Sequence, residues 1–535
     1  MPCNAPDDAL ASFDQAIAFK PGFAEAHHNR GNALLTLRRF DEALESHDNA
    51  VALKPGLAEA HSGRGNALWE LNRPEAALAS YDKAISLKPD YADAHCNRCN
   101  ALRDLKRFDE ALASCDVAIR LRPNHAQTHH NRGNALVDLK RPEEAVASYD
   151  KAIAINPGYA RAYFNRANAL LVLTRREEAI ASFDNAIALR PDDVPAYSNR
   201  GNVRLELANI EDAIVDFDTA IALQPDYAPA HCNRGNAMVA LLRLSEAAAC
   251  FRAAIALQPD YGDAYWNDGL RLLLTGQFEQ GWRSYEWRKQ LKDPVAVRPY
   301  PQPLWLGEQD IAGKVLFIYW EQGLGDTIQF YRYAKLAEAR GAKIVMEVQH
   351  VLHGLLRQLS ATIQVITPDE TPSPFDYHCP LMSLPLAFGT TLATIPAEPY
   401  YLWADEKMRA MWSARLDALH ASPTKKPRIG IAWSGSADHH HDHLRSLTLA
   451  TCLPLLDQDA DWVCLQKEIR DTDSAARQRA ASLRSFSDEL GDFSDTSALV
   501  DQMDLVITVD TSVAHLAGAM GKPVWVLLPY SPDWR

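Results

Sequence analysis

Small, aromatic and proline residues recur at a fixed spacing of 34 residues through the first half of the chain. Three copies of the pattern are AEAHHNRGNALLTLRRFDEALESHDNAVALKP (24–55), AQTHHNRGNALVDLKRPEEAVASYDKAIAINP (126–157) and APAHCNRGNAMVALLRLSEAAACFRAAIALQP (228–259). A typical copy has a small residue early, alanine midway, an aromatic residue later and proline at the end. Because proline cannot continue a helix, the pattern predicts helical structure that stops at each proline.

The spacing and these positions resemble the tetratricopeptide repeat, a helix–turn–helix unit that stacks into a solenoid. A small residue lets the first helix of each unit approach its neighbour, at Gly31, Gly65, Cys99, Gly133, Ala167, Gly201 and Gly235. Bulk between the helices comes from Tyr81, Tyr149, Phe183, Phe217 and Phe251. Residues 7–20 predict a second helix only, and a degenerate eighth unit from Gly262 to about Asp293 resembles a cap. We expect an all-α solenoid over residues 1–290.

Two columns of asparagine run through the repeats. The first column is Asn29, Asn97, Asn131, Asn165, Asn199, Asn233 and Asn267, and the second is Asn32, Asn66, Asn100, Asn134, Asn168, Asn202 and Asn236. Asparagine is a poor helix former, so helix propensity does not explain the columns. One interpretation is that the amides bond to each other and hold the stack together. The other is a ladder that grips an extended peptide, which resembles the asparagine ladder of the protein O-linked N-acetylglucosamine transferases.

After residue 313 the pattern changes to alternating strands and helices. KVLFIYW (314–320) has strand length, EQGLGD (321–326) is a glycine-rich turn, a helical stretch follows, and KIVMEV (343–348) is another strand. This order is a βαβ unit and predicts a parallel sheet. RIGIAWSG, WVCLQKE, LVITVD and VWVLLP predict a second sheet, so we expect two Rossmann-like lobes that face a cleft.

Composition narrows the class of protein. The 535 residues are too many for one core, and 47% hydrophobic with 23% charged residues is typical of a soluble protein. A formal net charge of −14 without a long Lys/Arg run argues against a nucleic-acid partner. No apolar stretch is long enough for a membrane span, and the N-terminus lacks the pattern of a secretory signal.

The cysteines favour a reducing, cytoplasmic location. All nine are scattered without a pairing pattern. Cys96 and Cys99 form a CxxC, but both occupy repeat positions on a predicted helix. We therefore expect them to pack, not to hold a metal or act as a redox pair.

Five segments of the second half carry a more specific resemblance. They are EQGLGDTIQF (321–330), GIAWSGS (430–436), LRSL (444–447), LQKE (465–468) and VDTSVAHLAGAMGKPVWVLLPYSPDW (509–534). These segments resemble the motifs of glycosyltransferase family 9, which contains the ADP-heptose:lipopolysaccharide heptosyltransferases and a subgroup fused to tetratricopeptide repeats.

The resemblance implies an α/β fold of GT-B type after the solenoid. The acceptor lobe would occupy residues 314–422 and the sugar-nucleotide lobe residues 423–535. Residues 291–313, with four prolines, would link the lobes to the repeats. The family normally continues beyond the PDW segment, so the second lobe is expected to be truncated at residue 535.

The glycine-rich turn is the expected catalytic element. In the family the aspartate of this turn is the proposed base, which implies that Asp326 takes the proton of the acceptor hydroxyl. Gly323 and Gly325 would allow the backbone to approach the ligand closely. Because aspartate also favours helix starts, the alternative interpretation is that Asp326 only caps the following helix.

Residues of the second lobe are expected to bind the donor. Asp510, Thr511 and Ser512 end a strand and open a helix, and free amides at a helix start bind phosphate. His515, one turn later, could donate to a phosphate or could simply pack within the helix. The resemblance adds Ser434, Gly435 and Arg445 as a second phosphate-side loop, and it places Gln466, Lys467 and Glu468 near the nucleoside.

The segment DHHHDH (438–443) invites interpretation as a metal site. Its spacing matches no standard zinc pattern, and the family's enzymes need no metal. We therefore expect a loop that covers the ligand, with no metal and no cofactor.

The sequence thus predicts a cytoplasmic, inverting, metal-independent glycosyltransferase that uses a sugar nucleotide. Its acceptor would be a protein or a glycan, and the repeat groove would recruit the acceptor or a protein partner. One alternative is an O-GlcNAc-transferase-like enzyme that uses a UDP-sugar, which the asparagine columns favour. The other is a non-catalytic scaffold with a vestigial transferase domain, which the expected truncation favours.

Overall fold

In the computed structural model the described residues are 5–291, 298–358, 360–398, 400–418, 426–437, 442–532 and 534. The chain forms two compact units, Met1–Asn233 and Arg234–Arg535, and each is treated by itself below. The division falls within a repeat helix. The domain boundaries predicted at residues 290, 313 and 422 are drawn from the sequence pattern and not from compactness, so they stay predictions.

Helices of 13 to 15 residues alternate with short turns through the repeats, and only the last repeat helix, Phe278–Tyr285, is shorter, with eight residues. The repeat helices are α1 Ala5–Phe19, α2 Ala24–Thr36, α3 Phe40–Leu53, α4 Ala58–Glu70, α5 Pro74–Leu87, α6 Ala92–Asp104, α7 Phe108–Leu121, α8 Ala126–Asp138, α9 Pro142–Ile155, α10 Ala160–Val172, α11 Arg176–Leu189, α12 Val194–Glu206, α13 Ile210–Leu223, α14 Ala228–Ala240, α15 Leu244–Leu257, α16 Gly262–Leu274 and α17 Phe278–Tyr285. The helical pairs and the solenoid predicted from the 34-residue period are confirmed.

The turn inside each helix pair is a Schellman motif. Arg38 has a φ of 58°, its N–H donates to Leu35, and the N–H of Arg39 donates to Leu34. The same left-handed position recurs at Asn72, Lys106, Lys140, Thr174, Ala208 and Leu242. Glycine would carry this φ with less strain, and the chain uses it only in the last pair, at Gly276.

A ring packed against a residue without a side chain sets the distance between the two helices of a pair. A Cβ on Gly65 would lie 2.5 Å from Tyr81, and one on Gly133 would lie 2.5 Å from Tyr149. Both tyrosines are 1% exposed. In these copies a side chain at the glycine would require the ring or a helix to shift, whereas another copy has Ala167 at the same position, in one buried cluster with Phe183.

Two copies replace this contact with other chemistry. In the first copy the ring is His47, whose side chain is buried and whose two nitrogens have no hydrogen-bond partner among the described residues. In the third copy Cys99 and Cys115 are bonded to each other, with Cα atoms 5.7 Å apart. The expectation that all nine cysteines are unpaired is wrong for these two, because they occupy the facing glycine and aromatic positions.

The first parallel sheet follows the repeats in the second unit. Its strands are β1 Val315–Tyr319, β2 Lys343–Glu347, β3 Gln364–Ile366 and β4 Tyr377–Pro380, in the order β3-β2-β1-β4. Its helices are α18 Leu324–Phe330, α19 Arg332–Ala339, α20 His350–Leu356, α21 Leu384–Ala387 and α22 Glu406–Ala418.

The second parallel sheet has the order β7-β6-β5-β8-β9. Its strands are β5 Arg428–Ala432, β6 Asp461–Cys464, β7 Leu483–Ser485, β8 Leu505–Val509 and β9 Val524–Leu527. Its helices are α23 Asp442–Arg445, α24 Leu449–Leu456, α25 Ser474–Arg479, α26 Phe493–Asp501 and α27 Ser512–Ala519. In both sheets the order reverses at the first strand, and open parallel sheets bind ligands beside such a reversal.

No helix within the described ranges is long and apolar enough to cross a membrane.

We predict that His47→Phe stabilises the first unit and flattens its pH dependence. Burial, with a smaller effect of His28, lowers the pKa of His47 from 6.5 to about 3. Below pH 6.5 the unfolded chain therefore binds a proton that the folded chain does not, so folding stability falls as the pH falls from 6.5 towards 3. The loss approaches about 1.4 kcal/mol per pH unit.

Urea unfolding between pH 7 and pH 4.5 measures this slope. Phenylalanine is present at the same position in later copies, and the variant should exceed the wild type by about 2–3 kcal/mol at pH 4.5. His129→Ala, at a half-buried position of another copy, is the control and should leave the slope unchanged. Equal slopes in wild type and His47→Phe would contradict the prediction.

Candidate functional site

Three loops leave the second sheet at the same edge. Ala432 of β5 lies opposite Thr508 of β8, and Ile431 lies opposite Cys464 of β6. Because the strands are parallel, the loops after β5, β6 and β8 emerge together at the carboxyl edge. These loops carry all the residues that the sequence assigns to the donor side.

Gln466 holds two of these loops together. Its side-chain oxygen accepts from the backbone N–H of Trp433 at 2.6 Å and of Ser434 at 3.0 Å. Its nitrogen donates to Ser434 Oγ at 2.9 Å and to the carbonyl of Glu468 at 3.1 Å. The four hydrogen-bonding positions of the amide are thus used within the protein. The geometry gives Gln466 the role of fixing Ser434, and a contact with the nucleoside stays a prediction.

A second set of bonds shapes the loop after β5. A Cβ on Gly435 would lie 2.9 Å from Arg445 Nη2, so the two predicted residues are in contact. Arg445 Nε is buried and has no hydrogen-bond partner among the described residues. Arg470, which the sequence analysis missed, donates to the Gly435 carbonyl at 3.0 Å and pairs with Asp442. Its position two residues after LQKE was the available signal.

Of the histidine-rich segment, residues 438–441 lie outside the described residues. Asp442 is 7% exposed and accepts from Ser446 as well as from Arg470. No group of three or more potential metal ligands occurs within the part of the chain that the structure describes.

The two charged residues beside Gln466 are exposed. Lys467 Nζ donates to the Gly491 carbonyl at 2.6 Å, in the loop that follows β7. The backbone carbonyl of Glu468 accepts the hydrogen bond from the Gln466 side chain described above. Both side chains lie at the carboxyl edge of the sheet, as their position after β6 requires.

The start of α27 has the geometry of an anion site. Thr511 is the N-cap residue, and its hydroxyl accepts from the backbone N–H of Val513 at 3.3 Å. Asp510, Thr511, Ser512 and His515 are all partly exposed. Free amides at the start of a helix, with a hydroxyl beside them, favour a phosphate group.

In the glycine turn, Asp326 is 8% exposed and one of its oxygens is a helix cap. Its Oδ2 accepts from the backbone N–H of Gly323 at 3.0 Å, three residues earlier. The capping interpretation of Asp326 is therefore correct as a description of the local structure. Capping occupies one carboxylate oxygen and leaves the catalytic interpretation a prediction.

The glycine turn and α27 touch each other. A Cβ on Gly325 would lie 2.6 Å from His515 Cδ2 and 3.2 Å from its Nε2. Nearby, the N–H groups of Tyr401 and Leu402 donate to the Ala519 carbonyl at 2.9 and 3.0 Å. The structure thus joins a residue of the first sheet's glycine turn to a residue of the proposed phosphate helix.

The asparagine columns bond to each other in the first unit. Asn97 donates to Asn66 at 2.9 Å and Asn165 to Asn134 at 2.9 Å, each across a repeat boundary. Asn199 donates to Asn168 at 3.2 Å in the same way. Asn131 and Asn233 instead donate to Cys96 Sγ and Ser198 Oγ. The structural interpretation of the columns is confirmed for these pairs, and it does not exclude a ligand.

A cavity of about 380 Å³ lies beside the columns. It is lined by Leu35, Thr36, Phe40, Asn66, Trp69, Glu70, Tyr81, Asn97 and Asn100. Asn66 Oδ1 already accepts from Tyr81 and from Asn97, so its nitrogen is the group left to meet a ligand. Amides beside aromatic rings suit an extended peptide, whose backbone needs both donors and acceptors.

An arginine between the two columns staples neighbouring helices, and the sequence analysis missed it. Arg64 Nε donates to Asp48 of the preceding copy at 2.6 Å, and its Nη1 donates to Ser80 of its own copy at 2.8 Å. Further members of the column are Arg30, Arg98, Arg132, Arg166 and Arg200. The repeated NRGN segment was the signal, because its arginine recurs as strictly as its asparagines.

Comparison with known families identifies the repeats. Models described as tetratricopeptide repeat or TPR repeat match residues 4–58, 62–126, 133–172, 160–193 and 202–241. These residues are tetratricopeptide repeats, a scaffold suited to binding proteins.

Similar proteins cover parts of the chain. Protein FlbA of Caulobacter vibrioides is 25% identical over an alignment of 281 positions that covers 48% of this chain and 46% of FlbA. This chain thus spans less than half the length of FlbA. The solved structure of YrrB, described as a TPR protein with an unusual peptide-binding site, is 25% identical with a TM-score of 0.29. It covers 34% of this chain and 95% of YrrB. The structure of TTC0263, a thermophilic TPR protein of Thermus thermophilus, is 23% identical with a TM-score of 0.31. It covers 34% of this chain and 99% of TTC0263.

We predict that Gly325→Ala disturbs the contact between the glycine turn and α27. The new methyl group would overlap the imidazole of His515, so the ring or the helix must move. Overpacking of this kind costs about 1–3 kcal/mol of folding stability. Chemical unfolding and the NMR signals of the His515 ring report the two effects.

Gly323→Ala is the matched control. There the added Cβ would meet only Asp326 Oδ2, at 3.3 Å, and the loss should stay below about 1 kcal/mol. His515 signals that do not move in Gly325→Ala would show that the contact is absent in solution.

Proposed function

We propose that residues 314–535 form a glycosyltransferase of GT-B architecture, with the repeats recruiting its acceptor. The enzyme moves a sugar from a nucleoside diphosphate sugar to a hydroxyl of a protein or glycan, with inversion and without a metal. The observation that carries the proposal is the approach of Gly325 to His515, which sets the proposed base next to the proposed phosphate helix. Two open parallel sheets with their loops at the carboxyl edges support it.

In the proposed step Asp326 takes the proton as the acceptor oxygen attacks the anomeric carbon. The bond from that carbon to the diphosphate oxygen breaks, and the diphosphate leaves with the bonding electrons. The start of α27 and the hydroxyls of Thr511 and Ser512 stabilise the negative charge that develops there. His515 donates to the same diphosphate. Arg445, whose Nε is buried without a partner among the described residues, is a second donor.

The repeats add a second role, which the cavity beside Asn66, Asn97 and Asn100 supports. A protein acceptor could lie along the asparagine columns as an extended segment. Such an arrangement also suits an enzyme that uses a UDP-sugar, so the preferred base separates the two enzyme hypotheses. A scaffold without catalysis would keep the peptide site and lack the nucleotide site.

We predict that one of ADP, UDP or GDP, or a sugar derivative of one of them, binds with micromolar affinity. Isothermal calorimetry on the 535-residue chain measures it. His515→Ala should weaken binding by about tenfold, which corresponds to about 1.4 kcal/mol for one hydrogen bond to a charged group.

His350→Ala, an exposed histidine on the first sheet's helix α20, is the control and should bind as the wild type does. Preference for adenine would favour the family 9 hypothesis, and preference for uracil would favour the O-GlcNAc-transferase-like one. Absence of binding by every nucleotide would favour the hypothesis of a protein-binding scaffold over both enzyme hypotheses.

We predict that Asp326→Asn abolishes transfer and preserves donor binding. Asparagine can keep the cap, since its oxygen accepts the same Gly323 N–H, but it cannot take a proton. Loss of a general base lowers the rate by about 100-fold or more. Nucleoside diphosphate release from the sugar donor gives the rate, and calorimetry gives the affinity. Transfer at the wild-type rate would show that Asp326 is only a cap.

A further inference from the structure

The end of the repeats reaches the glycine turn through one buried arginine. Arg288 lies in the short turn Glu286–Gln290 that follows α17, and its side chain is 0% exposed. Its Nη2 donates to the two carboxylate oxygens of Glu321 at 2.9 and 3.2 Å. Glu321 is the first residue of EQGLGD, five residues before Asp326.

Both charged groups have further polar partners, although Arg288 Nε is buried without a hydrogen-bond partner among the described residues. Arg288 Nη1 donates to Glu286 at 2.6 Å, and Nη2 also donates to Ser383 at 2.8 Å. Glu321 accepts in addition from the Met382 N–H at 3.3 Å. Burial by itself would lower the pKa of Arg288, but the carboxylates of Glu321 and Glu286 outweigh it and raise the pKa. The guanidinium therefore stays charged.

A second contact holds the next residue of the turn. Gln322 Nε2 donates to Tyr285 Oη at 2.8 Å, and the Gln322 carbonyl accepts from Gln349 Nε2 at 3.1 Å. Gly323 comes next, and its N–H makes the hydrogen bond to Asp326. The first two residues of the turn, Glu321 and Gln322, are thus held by two consecutive parts of the repeat cap.

Stability alone does not account for this arrangement. Replacing a buried ion pair by well-packed apolar residues is often neutral or stabilising. The guanidinium differs from apolar packing because its planar donors fix distance and direction: Nη1 holds Glu286, while Nη2 holds both oxygens of Glu321. The ion pair between Arg288 and Glu321 is therefore suited to holding Glu321, and with it the rest of the glycine turn, in one position.

We propose that Arg288 and Tyr285 are positioning residues that fix the glycine turn and, through it, Asp326. The catalytic consequence rests on the proposed function, whereas the hold on the turn rests on the contacts alone. The proposed transferase then depends on the last repeat, because removing that repeat would remove the contacts that hold Glu321 and Gln322.

Hydrogen exchange followed by mass spectrometry tests the hold directly on the 535-residue protein. Arg288→Lys keeps the charge and loses the planar guanidinium that bonds to both Glu286 and Glu321. Tyr285→Phe keeps the ring and loses the hydrogen bond from Gln322. Each variant should speed exchange in residues 321–330 by roughly tenfold while residues 505–519 exchange as in the wild type.

Arg271→Lys is the matched control. Arg271 is also a buried arginine of the cap, 8% exposed, and it pairs with Asp268 at 2.7 Å, outside the network around Glu321. Exchange in residues 321–330 should be unchanged in this variant. Unchanged exchange in Arg288→Lys and Tyr285→Phe as well would overturn the proposal.

Turnover of the sugar nucleotide identified by calorimetry is the second measurement. Both variants should lower kcat, by up to about 100-fold, because a small displacement of a catalytic group is costly. KM for the donor should change little, since its phosphate-binding groups lie on the second sheet. Faster exchange in a protein that turns over no sugar nucleotide would confirm the hold and reject the transferase. Faster exchange with wild-type kcat would show that the turn does not serve catalysis and would overturn the positioning role.

Discussion

The distance between paired helices is set by an aromatic ring that fills the space a missing side chain leaves. Tyr81 against Gly65 and Tyr149 against Gly133 show the contact, and both rings are almost completely buried. That distance places the asparagines so that Asn97 can reach Asn66 and Asn165 can reach Asn134. The surface that the repeats offer to a partner thus depends on packing inside each pair. The same contact explains why a cysteine bond fits in the third copy.

In the second unit the candidate site is built from loops whose polar groups mostly hold one another. The side-chain amide of Gln466 is hydrogen-bonded to the loop that contains Ser434. Arg470 donates to the Gly435 carbonyl and pairs with Asp442. Such bracing leaves few groups to meet a ligand, and those that remain are near the start of α27 and at Arg445. A preorganised site of this kind is what stabilisation of a leaving diphosphate requires.

Much of the fold could be predicted from the sequence, because its signals are local. The 34-residue period predicts the helix pairs, and the apolar runs predict β1, β2, β5, β6, β8 and β9. The strands β3 and β7 have only three residues each, and β4 has the sequence YHCP, which is not an apolar run. The left-handed turns were missed because Arg38 and its counterparts are not glycine. Arg288 looked like one more charged residue at a helix end, since nothing local reveals a partner 33 positions away.

Five stapling arginines take one partner from the copy before them and one from their own copy, namely Arg30, Arg64, Arg132, Arg166 and Arg200. Arg98 pairs with Asp82 of the copy before it. Arg30 already finds its first partner, Asp14, on the single helix α1. A whole copy inserted between two others would therefore arrive with its contacts complete and would restore those of its neighbours. Duplication or loss of 34 codons is in this sense a conservative change, whereas an insertion of a few residues inside a copy breaks the staples that span it. The length of such an array is free to vary during evolution, while its register is not.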